Sequence, residues 1–308
     1  MSQNSFWKKA GWFIVALLPA ALSLILQFGA AMVFMFIIAF VTAFTHHDAG
    51  LSQGQLMNLV QDAYMSNVSW IVLFYQIIGV FVFGLWYFFA YGKKKRPAGA
   101  EKPGIKELAM IVALGAFLQV FISGILGMIS ELFPDLLEGY FEMMKTAGIT
   151  EMTVITFIAT VILAPIGEEL LCRGVIFRLA GKVSAKFWVA NCIQALAFGI
   201  IHANLVQGTY AFFLGLILGY IYGKYRNIWA CMLLHGAVNL SSNFVDILWE
   251  TLLPERNIVP GVGLICALAL VLILLDLKGL GPIKHLDPVR PLEKEQGDPA
   301  VPGGMNMV

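Results

Sequence analysis

The sequence predicts an all-α protein: a polytopic membrane helix bundle of about eight transmembrane helices with an intramembrane polar site. Three observations predict it. The chain has 308 residues, of which 59% are hydrophobic and only 13% charged, whereas soluble domains lie nearer half apolar and a quarter charged. Its apolar residues fall in runs long enough to span a hydrocarbon core of roughly 30 Å. Within one such run stand Glu168, Glu169 and Arg173, in APIGEELLCRGVIFR (164–178). Ionised side chains are costly there and mark a functional site.

The runs occur in this order. Gly11 to Phe44 is overlong and contains Pro19, so a tilt or kink is expected. Ser69 to Gly92, Glu107 to Phe133 and Met152 to Gly181 are of ordinary length. Phe187 to Val206 follows, then the short Thr209 to Tyr222, then Ile228 to Leu248 and Ile258 to Leu277. The N-terminal run has the basic start of a signal peptide, but its apolar part far exceeds an h-region, so a retained helix is expected.

Charge tests the count. With the N-terminus in the cytoplasm and the spans alternating, Lys93 to Arg96, Lys102, Lys106, Arg178, Lys182, Lys186, Lys224 and Arg226 all fall inside. So does the tail, while Asp48, Asp62, Glu131, Asp135, Glu138 and Glu142 fall outside. A cell-membrane, multi-pass protein with both termini cytoplasmic satisfies the positive-inside rule. The basic, proline-bearing linker KKKRPAGAEKPG suggests three parts. These are two N-terminal helices with the linker (1–105), a six-helix core (106–278) and a flexible cytoplasmic tail (279–308). Cys172, Cys192, Cys231 and Cys266 lie in spans without zinc-ligand spacing and read as buried thiols. Nothing points to nucleic acid; the lipid bilayer is the one partner that composition requires. Oligomeric state is open.

The polar residues in the spans then need an account. Glu169 and Arg173, four apart on a helix, share a face and can pair, as an arginine so deep must. Glu168 is rotated about 100° away and is the carboxylate without a local partner. AFGIIHAN places His202 in the fifth span one turn after Phe198, and LLHGAVN sets His235 and Asn239 four apart on the seventh. Glu168 lies about as far before the turn at Val183 to Lys186 as His202 lies after it, so a hairpin brings them to similar depth. Gln27, Gln76, Gln119, Asn191 and Gln194 read as interhelical hydrogen bonders, and His46, His47 and Asp48 as a solvated loop. Glu168, His202, His235 and Asn239 supply instead a general base, proton carriers and oxyanion donors.

EELLCR, FGIIH and HGAVN fit EExxxR, FxxxH and HxxxN, in that order and on successive spans. The arrangement resembles the CPBP family of CAAX-prenyl-protease and bacteriocin-processing (Abi) intramembrane endopeptidases, over roughly Lys106 to Leu248. The resemblance implies that Glu168 activates water with help from His202. It implies further that His235 and Asn239 hold the oxyanion, and that Glu169 and Arg173, with Phe198, brace the site. Two mechanisms stay open. Glu168, His202 and His235 could bind zinc with water in a fourth position, but the HExxH spacing that would carry that inference is absent, and a site without cofactor is favoured.

The expectation is therefore an intramembrane endopeptidase acting on a membrane-anchored protein or peptide. A wet cavity should open to the cytoplasmic side. Two rivals remain: a non-catalytic membrane scaffold or immunity protein of the same fold, and a proton-coupled transporter. The transporter lacks a visible internal repeat.

Overall fold

The computed structural model describes residues 3–92, 103–146 and 153–252, together with Gly263 and Ala269. Among the described residues there are nine helices and no strand. The predicted span Ile258 to Leu277, most of the basic linker, the tail and Cys266 lie outside them. Six helices are long and apolar enough to cross a membrane, so the chain is a multi-pass helical membrane protein, as its composition demands.

Helix α1 (Gln3–Thr45) carries Pro19 in its interior. α2 (Gln53–Ser66) and α3 (Val68–Tyr87) follow, the latter continuing through a π-type turn at Phe88–Gly92. α4 spans Ile105–Leu132 and α5 Pro134–Thr146. α6 is one rod, Val154–Ala180. α7 (Phe187–Ile200), α8 (Leu205–Tyr225) and α9 (Ile228–Leu252) complete the order.

Two helices were not expected. α2 begins with a capping box in which Ser52 and Gln55 satisfy each other's end of the chain. α5 is short and amphipathic: Leu137 and Tyr140 are buried, while Leu136 and Phe141 are exposed beside acidic neighbours. Such a helix suits a membrane interface.

The expected fifth span is also shorter than its apolar run. α7 has 14 residues, about 21 Å. It stops because the chain turns at His202–Asn204, with Ala203 at φ 51°. Asn204 then caps α8 by accepting from the Gln207 N–H at 3.0 Å. Residues 205–208 thereby join α8, which at 21 residues can cross. Ala211, Gly215 and Gly219, four apart, let α8 press onto α7: a Cβ on Gly215 would lie 3.0 Å from Ala195 Cα.

α6 is the central rod. Leu171 to Ile176 are all buried, and α1, α3, α7 and α9 pack around it. Gly174 lets the Tyr87 ring approach, which would lie 2.9 Å from an added Cβ. α1 and α3 thus share one core with the later helices, in which Ala16, Ala20 and Phe83 join Leu114, Leu171 and Val175. The winding of α6 is uneven. Phe157–Leu163 and Leu170–Ile176 are π-type, with the Ala164 N–H donating to the Ala159 carbonyl and the Phe177 N–H to that of Cys172, five residues back. Such turns are rare and gather at functional sites. Here they flank the α-helical turn that holds Glu168 and Glu169.

Candidate active site

The site is built on α6 from two adjacent carboxylates in unlike surroundings. Glu169 is fully buried, and a single oxygen, Oε1, accepts from Arg173 Nη1 and from His235 Nδ1, each at 2.9 Å. Because a carboxylate oxygen can only accept, His235 Nδ1 carries the proton. Its other nitrogen, Nε2, lies 3.8 Å from Glu168 Oε2, beyond a direct hydrogen bond. The Glu168 side chain keeps 16% of its surface.

Arg173 is held at both terminal nitrogens and across its face. Nη2 donates to the Gly215 carbonyl at 2.8 Å, and the guanidinium stands 5.1 Å from the centre of the Phe198 ring, a cation–π distance. The same Gly215 carbonyl accepts from Gln194 Nε2, also at 2.8 Å. Gln194 donates in turn to Asn191 Oδ1, whose Nδ2 donates to the Leu216 carbonyl. Arg173, Gln194 and Asn191 have no exposed surface, so a closed polar layer lies beneath the two carboxylates, toward the end of the bundle bearing Arg178, Lys182 and Lys224.

Phe198 is the hub between the histidines. Its ring meets those of His202 and His235 edge-on, at 5.0 and 5.5 Å. His202 stands in the turn after α7 rather than inside a span, since α7 ends two residues earlier. His202 Nδ1 donates to the Phe198 carbonyl at 2.7 Å. In the neutral ring that leaves Nε2 as a bare acceptor. Asn239 sits one turn beyond His235, and its Nδ2 donates to the Thr160 carbonyl at 2.9 Å.

Motif reading thus names side chains that converge: Glu168, Glu169, Arg173, Phe198, His202 and His235 form one connected cluster, with Asn239 at its margin against α6. Asn191 and Gln194 are interhelical hydrogen bonders as expected. What sequence reasoning missed is that they join Arg173 through the Gly215 carbonyl in one layer, although the small residues at 211, 215 and 219 announced the close packing that creates it. Ser23 of α1 and Tyr75 of α3, bonded at 2.9 Å, were missed too. Gln119 bonds within its own helix, to Ser123. Cys172 and Cys231 are buried, but Cys192 is exposed, because it falls on the outward face of the amphipathic α7.

A cavity of about 890 Å³ lies on the other flank of α6, lined by Pro165, Ile166, Met232 and Gly236, with Arg226 and Asn227 among its walls at the basic end. Neither Glu168 nor His235 lines it. This cavity is therefore not a chamber at Glu168, which is backed toward the basic end by the buried layer of Arg173, Gln194 and Asn191. Among the described residues no three His, Cys, Asp or Glu side chains are grouped to hold a metal ion. Glu168, His202 and His235 are not grouped as a ligand set in this arrangement.

The fold defines a polytopic helical membrane protein. Residues 150–241, which carry all the motif residues, match the family model described as type II CAAX prenyl endopeptidase Rce1-like, so the resemblance drawn from the motifs is borne out. The chain is similar to a curated Bacillus subtilis (strain 168) protein named "Putative membrane peptidase YdiL", with 25% identity over 164 residues. That match covers 53% of this chain and 65% of the relative's own length. No solved structure matches.

Proposed function

We propose that the protein is an intramembrane endopeptidase that hydrolyses a peptide bond of a membrane-associated or lipidated protein or peptide, with water activated by Glu168. One observation carries this reading. Of two adjacent carboxylates, Glu169 is locked by Arg173 and His235, while Glu168 is partly open and 3.8 Å from an imidazole nitrogen. That gap is one a bridging water can close.

In the reaction Glu168 takes a proton from water, and the oxygen bonds to the peptide carbonyl carbon. His202, whose Nε2 is the bare nitrogen, helps to hold the water. Asn239, and His235 when its Nε2 is protonated as well, face the oxyanion of the tetrahedral intermediate, and the proton taken up by Glu168 passes to the leaving amine as the C–N bond breaks. Glu169, Arg173 and Phe198 hold His235 and His202 in place. The family description supports a lipidated or membrane-anchored substrate, and the basic residues support cytoplasmic termini in a cell membrane.

The test is cleavage of membrane-anchored fluorogenic peptides by purified protein. Glu168→Gln and His202→Ala should abolish turnover while the protein accumulates and inserts normally. Each is assayed with and without a strong chelator, and inhibition reversed by zinc would recast Glu168, His202 and His235 as ligands. Full turnover by Glu168→Gln would sink the reading.

A further inference from the structure

A pair of phenols stands at the end of the site remote from the closed layer. Tyr140 on α5 and Tyr210 on α8 share a hydrogen bond of 3.1 Å. Tyr140 is 6% exposed although its helix is otherwise peripheral. A second contact ties the same two segments, from Asn204 Nδ2 to Met143 Sδ at 3.6 Å.

Register places Tyr210 at about the depth of the carboxylate. α6 and α8 run the same way, since α7 returns between them, and the Arg173–Gly215 hydrogen bond pins one against the other. Glu168 lies five residues before Arg173 and Tyr210 five before Gly215. Both are therefore about 7 Å from that bond on the same side, at 1.5 Å per residue.

Donors near the reacting carbonyl are few. The His235 Nδ1 proton goes to Glu169, and one of the two Asn239 amide protons goes to the Thr160 carbonyl. A phenol has one proton. When Tyr140 donates to the Tyr210 oxygen, the Tyr210 proton is free to point into the site, and the chain of two hydroxyls strengthens it as a donor.

We infer that Tyr210 is a further catalytic residue, its hydroxyl oriented by Tyr140 and donating to the carbonyl oxygen of the bond being cleaved. This rests on the protease reading above. Tyr140 is then a positioning residue, and α5 contributes to catalysis from the membrane surface.

The experiment compares Tyr210→Phe and Tyr140→Phe with wild type on the anchored peptides. Tyr210→Phe should lower kcat by roughly 10²-fold, the usual cost of one oxyanion donor, with KM and thermal midpoint nearly unchanged. Tyr140→Phe should give a smaller loss in kcat. A further readout needs no turnover: 3-fluorotyrosine in place of Tyr210 should show a ¹⁹F resonance that moves with Glu168→Gln and with Tyr140→Phe. Wild-type cleavage matched in kcat by Tyr210→Phe overturns the Tyr210 assignment alone. A wild-type protein that cleaves no anchored peptide sinks the protease reading and this role with it. A resonance indifferent to Glu168→Gln overturns the assignment in either case.

Discussion

Asn239 supplies the hydrogen bond that Pro165 cannot. In the π-type stretch of α6 the Ala164 N–H reaches back five residues to the Ala159 carbonyl. The next donor in that frame would be residue 165, serving the Thr160 carbonyl, but a proline has no N–H. Asn239 Nδ2 comes across from α9 and donates to Thr160 at 2.9 Å. Gly236, one turn earlier, permits the approach, since an added Cβ would lie 3.2 Å from the Val161 carbonyl.

That relationship separates structural from catalytic work at Asn239. Asn239→Ala should cost about 1–3 kcal/mol by leaving a carbonyl unpaired. Pro165→Ala restores an N–H in the same frame, so the double variant should recover thermal stability in detergent. Turnover should stay low in the double variant if the amide also faces the oxyanion. A thermal midpoint untouched by Asn239→Ala would remove the structural half of this account.

Arg173 should be the most costly residue of the cluster to replace. Arg173→Met leaves Glu169 charged, fully buried and with only His235 for company, a loss of about 3–5 kcal/mol. Lysine should not rescue it, because a single ammonium cannot reproduce the fork that reaches Glu169 Oε1 and the Gly215 carbonyl together. Adding Glu169→Gln to Arg173→Met should recover part of the loss. Unfolding midpoints of the purified variants decide it, and a double variant less stable than Arg173→Met would contradict the pairing.

Thiol labelling tests how α7 is oriented. In a Cys266→Ala background, a lipid-soluble maleimide should label Cys192 within minutes in intact membranes. Cys172 and Cys231, both without exposed surface, should react only after unfolding. Equal labelling of all three would mean that the faces of α7 and its neighbours are wrongly assigned.

Much of this was legible in the sequence. The spacing of Glu169 and Arg173 forced their pairing, and the same helical geometry left Glu168 free. Phe198 fell where the motif reading set it, with His202 against its ring but in a turn rather than in a span. The missed parts depend on tertiary approach. The turn at His202 comes from the Asn204 cap and the positive φ of Ala203, inside an apolar run that gave no polar warning. The π-type turns of α6 have no residue signature beyond Pro165. Tyr210 meets Tyr140 only because α5 folds back over the bundle, which hydropathy cannot reveal.

The placement of Arg173 also has an electrical consequence. If Glu168 activates water within the bilayer as proposed, the centre risks becoming a leak for protons, discharging the gradient of the membrane that hosts it. Arg173, Gln194 and Asn191, buried beneath the carboxylates, would stand in the way of such a path. The fixed guanidinium adds an electrostatic barrier to any cation that would follow. On the proposed function, hydrolysis and insulation would thereby be compatible in one helix bundle.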